Sequence, residues 1–176
     1  MNRGSKPILW AVALVILSAT GAADLQAQSR GPSTADERNR AVQAAKQLRT
    51  DPLAASTQTE REWLIKWLIE VPDIAVQLCG GILGDLGDTN QSAYPGTLLA
   101  TMMASEAAYV IENPQRAKDR RAMFRAGVDG ALDAYEVIRK KDASYQAKKL
   151  DEFVLARNAG KLDDVLNSAL KASKCK

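Results

Sequence analysis

The residues able to do chemistry are few and unevenly placed. Arg116, Lys118, Arg120, Arg121 and Arg125 form the densest basic segment, with Asp119 the only acid inside it. Such a cluster attracts an acidic protein surface, an anionic envelope polymer or lipid head groups, and it equally suits a solvated helix face. Placed in the first turns of a helix, each cation would oppose the helix dipole by ~0.3–1 kcal/mol. That placement calls for a contact, either with an acidic partner or within the chain to Glu106, Glu112 or Asp129. These five residues are the candidate partner-binding set.

Glu106 lies in the most apolar part of the chain. A carboxylate buried there would have a raised pKa and would be a functional candidate. Ser105 and Tyr109 flank it on a polar edge, so partial exposure is the expectation. Asp85, Asp88 and Asn90 sit in a glycine-rich stretch over 84–95 and are candidate loop contacts. Within it, Asp88-Thr89-Asn90-Gln91-Ser92 alternates oxygen ligands as a calcium loop does. The sixth position is Ala93 and the twelfth Leu99, where glycine and a bidentate acid are required, so no metal is expected. Trp63 and Trp67 are four apart, which suits core packing more than the floor of a ligand groove.

The chain has no histidine, which removes the commonest general base and excludes Ser-His-Asp and Cys-His catalysis. No P-loop, dinucleotide fingerprint or G-x-S-x-G is present, and no cofactor is implied. The 21 acids leave carboxylate-pair chemistry open. That would need two acids converging at ~5–10 Å, one with a raised pKa. No catalytic residue is assigned.

The elements that must position these residues follow an N-terminal segment that reads as a signal peptide. Arg3 and Lys6 precede an unbroken apolar run from Ile8 to Leu17, and small residues follow to Ala23. Cleavage is expected after Ala23 or Ala27. If retained, the segment would anchor the chain with its domain still outside. Residues 24–33 read as a flexible lead-in and 34–176 as a single helical domain. Removing 1–23 takes away Arg3 and Lys6 and no acid, so the net charge falls from +3 to +1. A near-neutral mature chain gives no argument for nucleic acid. In a periplasmic or secreted protein, Cys79 and Cys175 are most simply a disulfide, with free thiols or an intermolecular bridge as alternatives. Closing so long a loop stabilises by ~4–5 kcal/mol on the chain-entropy account.

Helix signals fill the rest, giving an all-α, bundle-like domain of six or seven helices. Thr34 to Glu37 is a capping box opening a helix to about Arg49. A second box at Thr59–Glu62, or Thr57–Glu60, opens a largely buried helix that Pro72 ends. Asp73 to Leu83 reads as a short helix carrying Cys79. Thr97 to Asn113 reads as the central helix, apolar around most of its circumference. Asn113-Pro114 starts a helix reaching Lys141. Tyr145 to Asn158 follows, with Gly160 as its cap, and Lys161 to Ala172 is last.

Cys79-Gly80-Gly81-Ile82-Leu83-Gly84, a helix from the Pro95 region and Glu112-Asn113-Pro114 together resemble the Rap1a/Tai family of small secreted helical immunity proteins. The resemblance implies a toxin partner. The composition and motifs favour an exported, non-enzymatic helical protein binding a protein or envelope component. The alternatives are a Rap1a/Tai-like immunity protein, a disulfide-closed periplasmic chaperone or inhibitor, and a carboxylate-dependent envelope hydrolase.

Overall fold

A computed structural model describes residues 30–79 and 94–172; over these the protein is all-helical and has no strand. The signal segment, the loop candidates Asp85, Asp88 and Asn90, and Cys175 lie outside the described residues.

Helix α1 (Ala35–Thr50) opens on the expected capping box. Thr34 Oγ1 accepts from the Glu37 amide at 3.2 Å, and Glu37 Oε2 accepts from the Thr34 amide at 2.9 Å. Helix α2 (Ala55–Glu70) begins before either predicted box, and its N-cap, Ala54, makes no side-chain bond. The turn after α1 nucleates it instead: the Asp51 carbonyl accepts from Ala54 N–H, and the Ala54 carbonyl accepts from Thr57 and Gln58. Nor is α2 largely buried. Leu64 and Trp67 point inward, while Ile69 is 79% exposed. Trp67 is a core residue, and Trp63 stacks on it at 5.6 Å with the Arg40 guanidinium 4.0 Å from its ring centroid.

The helix predicted over 73–83 is not formed in its described part. Residues 71–79 run as a non-helical strap. Its polar groups find partners elsewhere: Asp73 takes the Ser33 amide and hydroxyl and the Arg38 guanidinium, all at 2.8 Å. The Gln77 amide donates to Glu106. A segment whose groups are satisfied across the fold gains nothing from an isolated helical turn.

Helix α3 (Pro95–Glu112) is central, as expected. Leu98 and Met102 enter a core formed with later helices; Ala104, Ala107 and Val110 enter another formed with α1, α2 and the strap. Asn113-Pro114 does not start the next long helix. Asn113 closes α3 by donating to the Tyr109 carbonyl at 2.9 Å, and Pro114–Arg116 is a single 3-10 turn. Helix α4 (Arg120–Lys141) starts at Asp119, whose carboxylate accepts from the Ala122 amide at 3.0 Å. Helix α5 (Lys148–Asn158) starts three residues later than predicted, because Tyr145 packs edge-on against Tyr94 and Tyr135. Gly160, at φ +68°, ends α5 as expected, with the Lys161 amide reaching back to the Ala156 carbonyl. Helix α6 (Leu162–Ala172) closes the order.

The α3–α4 crossing is unusually close, and glycine allows it. A Cβ on Gly130 would lie 1.8 Å from Ser105 Oγ and 2.6 Å from Ser105 Cβ. One on Gly127 would lie 2.7 Å from Glu106 Cγ. Thr101 and Ser105 donate to carbonyls four residues back, so this polar edge is satisfied within its own helix and can be buried. No helix among the described residues is long and apolar enough to cross a membrane.

Candidate functional site

The basic segment divides into three kinds of residue. Arg116 pairs with Asp119 at 2.8 Å, which leaves it outside the helix and beside the N-cap. Arg125 pairs with Asp129, as the sequence allowed, and with Asp163 on α6 at 3.0 Å. Arg120 donates through Nε to the Gln77 side-chain oxygen at 2.7 Å and so holds the strap to α4. Lys118 and Arg121 are exposed and enter no ion pair among the described residues. The cost of these cations against the helix dipole is correspondingly small. Arg116 and Lys118 precede α4, and the Asp119 carboxylate stands at its N-terminus. The Ala122 amide and then Arg116 hold that carboxyl below its usual range.

Arg120 and Arg121 rim a groove of about 320 Å³ between α4 and the strap. Its walls are Gln77, Leu78 and Cys79, its floor Phe124, and Leu170 of α6 closes one side. Leu78 is 52% exposed at the lip, whereas Cys79 and Phe124 are buried. The groove therefore offers apolar surface under a cationic edge. A wider cleft of about 760 Å³ lies between α2 and α3, over Ile65, Leu99 and Met103. Its charged rim, Arg61, Glu62 and Lys66, is mixed in sign and selects no charge on a ligand.

Glu106 corrects the expectation of partial exposure: it is 0% exposed. Ser105, which with Tyr109 suggested a solvent edge, is buried with it against the glycines of α4, as is Thr101. Oε2 accepts from the Gln77 amide at 2.7 Å, and Oε1 has no hydrogen-bond partner among the described residues. Among the described residues no cation acts on it: Arg116, Arg120 and Arg125 are engaged elsewhere, and Lys118 and Arg121 face outward. Burial pushes its pKa up to about 8, against the single opposing hydrogen bond from Gln77. It is therefore a neutral acid at pH 7.

Sequence reasoning missed Gln77, which joins Glu106 to Arg120 through its amide and side chain. It also missed the fit of Gly127 and Gly130 against Ser105 and Glu106. The signal was present: two glycines three apart in α4, opposite hydroxyls four apart in α3. Among the described residues no group of three or more acidic or sulfur ligands could hold a metal ion. Comparison with known proteins finds no family model, no curated sequence and no solved structure that matches this chain.

Proposed function

We propose that this is an exported, non-enzymatic helical protein that binds an acidic, partly apolar segment of an envelope protein in the groove beside α4. One observation carries the reading: Lys118 and Arg121 stand exposed, with no ion pair among the described residues, next to a groove whose lip is the exposed Leu78. Unpaired cations give long-range attraction and orientation, and the apolar lining supplies contact area once docked. The signal-like N-terminus supports export. In that compartment a Cys79–Cys175 disulfide would fasten the strap wall of the groove to the C-terminus.

The hydrolase alternative draws less support. It requires an acid with a raised pKa that a substrate can reach, and Glu106 is sealed.

Affinity capture from an envelope extract tests the binding reading, using oxidised mature protein and the Lys118→Glu/Arg121→Glu variant. The wild type should retain a stoichiometric protein partner, and the variant should lose most of it at low salt. Equal retention by the variant would remove the proposed face. Recovery of no partner would favour a catalytic or structural role.

A further inference from the structure

We propose that Glu106 is a proton-operated latch: its neutral carboxyl holds the strap over residues 71–79 on α3, and its ionisation releases that strap. The geometry supplies the reason. Val71, Ile74 and Cys79 seat the strap in the apolar cores, and between Ile74 and Cys79 its main-chain bond to α3 among the described residues is Gln77 N–H to Oε2 at 2.7 Å. The other carboxyl oxygen faces Gly127 with no donor among the described residues, in a place closed to water. A neutral carboxyl tolerates that site. A carboxylate would leave a charge-bearing oxygen bare, and the least costly relief is to lift the strap and admit solvent.

The surrounding charged groups do not offset the charge. On the strap, Asp73 is engaged with Ser33 and Arg38 of the α1 end. On α4, Arg120 bonds the Gln77 side chain, Arg121 faces the groove, and Arg125 turns to Asp129 and to Asp163 of α6. On α3, Tyr109 and Glu112 border a separate cleft with Lys46 and Arg49 of α1. On α2, Arg61 bonds Thr97, and Lys66 pairs with Glu70, which also lies 3.8 Å from Arg30. Among the described residues only burial and the Gln77 amide act on Glu106. The chain has no histidine, so the side chain that ordinarily senses pH near neutrality is missing. A buried glutamate takes its place. Because the strap forms one wall of the groove, release would also dismantle the proposed partner face. That consequence rests on the binding reading; the latch itself does not.

Amide hydrogen exchange on the full mature protein tests it without any partner. The readout is the protection factor of the Gln77 amide, corrected for intrinsic base catalysis, with Leu132 in α4 as reference. With the acid at its ordinary 4.5 when the strap is open and at about 8 when closed, opening should rise about tenfold per pH unit in between. Gln77 protection should thus fall about a hundredfold from pH 5.5 to 7.5 and lie well below that of Leu132 throughout, because Leu132 waits on global unfolding, which falls with the same slope. In Glu106→Gln the fall should vanish. A constant Gln77 protection factor in wild type, equal protection of Gln77 and Leu132, which would mean that both wait on global unfolding, or the same fall in Glu106→Gln would each overturn the latch. Should Glu106→Gln not fold, the wild-type comparison of the two amides decides alone.

Discussion

Replacing Glu106 by glutamine is expected to stabilise the protein, and by more as the pH rises. Below pH 4.5 the acid is protonated whether the chain is folded or unfolded, and the wild type carries no penalty from it. Between 4.5 and about 8 the unfolded chain releases the proton and the folded one keeps it. Each pH unit there lowers wild-type stability by about 1.4 kcal/mol. Above the folded value the loss is complete, at roughly 5 kcal/mol. Glutamine keeps the shape, presents an oxygen to Gln77 N–H and does not titrate. Urea unfolding of both proteins at pH 5 and pH 8.5 checks this. The two stabilities should lie near each other at pH 5 and diverge by several kcal/mol at pH 8.5. A constant gap between them would show that Glu106 is already ionised in the fold.

The acid side of the profile should run the other way. At Asp73, burial raises the pKa, but the Ser33 amide, the Ser33 hydroxyl and Arg38 outweigh it and hold the carboxyl low. That stability is present above 3.8 and is lost as the pH falls through the lowered value. Stability should therefore peak in mildly acidic solution and decline on both sides.

Gly130→Ala is the second large effect, and it should be destabilising although alanine is the better helix former. Propensity alone would favour the change by up to ~1 kcal/mol. Against it, the new methyl would fall 1.8 Å from Ser105 Oγ and 2.6 Å from Ser105 Cβ. The hydroxyl can rotate away at the loss of its bond to the Thr101 carbonyl, but the Cβ cannot. Helices α3 and α4 must then separate, and both cores adjoin this pair. Overpacking of this kind costs about 1–3 kcal/mol, with more where the backbone must shift. A net loss of about 2 kcal/mol or more in urea unfolding is expected. Ser105→Gly removes both clashing atoms, so the double variant should recover most of the loss caused by Gly130→Ala. A neutral or stabilising Gly130→Ala would mean that the helices do not cross this closely.

The helical class was legible because each of the longer helices repeats its apolar positions over several turns. The start of α1 was legible because Thr34 and Glu37 satisfy two amides locally, with no help from the rest of the fold. Gly160 was legible for the same reason: a left-handed residue closes α5 by backbone bonds alone. The errors fall where distant residues decide. A turn after α1 starts α2, so its threonines were misleading as caps. Asp119 and Asn113 are both competent caps, and only tertiary packing chooses between them. The strap resembles a helix in composition, yet Ser33, Arg38, Glu106 and Arg120 hold it straight from outside its own sequence. Glu106 itself looked solvent-facing because Ser105 and Tyr109 lie beside it. The glycines that bury this edge are more than twenty residues away in α4.

The basic cluster shows the same division. Its composition suggested a partner, and its spacing could not tell paired cations from exposed ones. Pairing consumes Arg116 and Arg125, and Arg120 is committed to the strap, which leaves Lys118 and Arg121 to face outward.

The central claim is that a neutral carboxyl lies sealed between the strap and the glycine face of α4. Its most direct test is the ¹³C carboxyl shift of Glu106 followed by NMR from pH 4 to pH 10. A midpoint near 8 is the predicted result. A midpoint near the ordinary 4.5 would contradict it, placing an ionised Glu106 in contact with solvent at neutral pH.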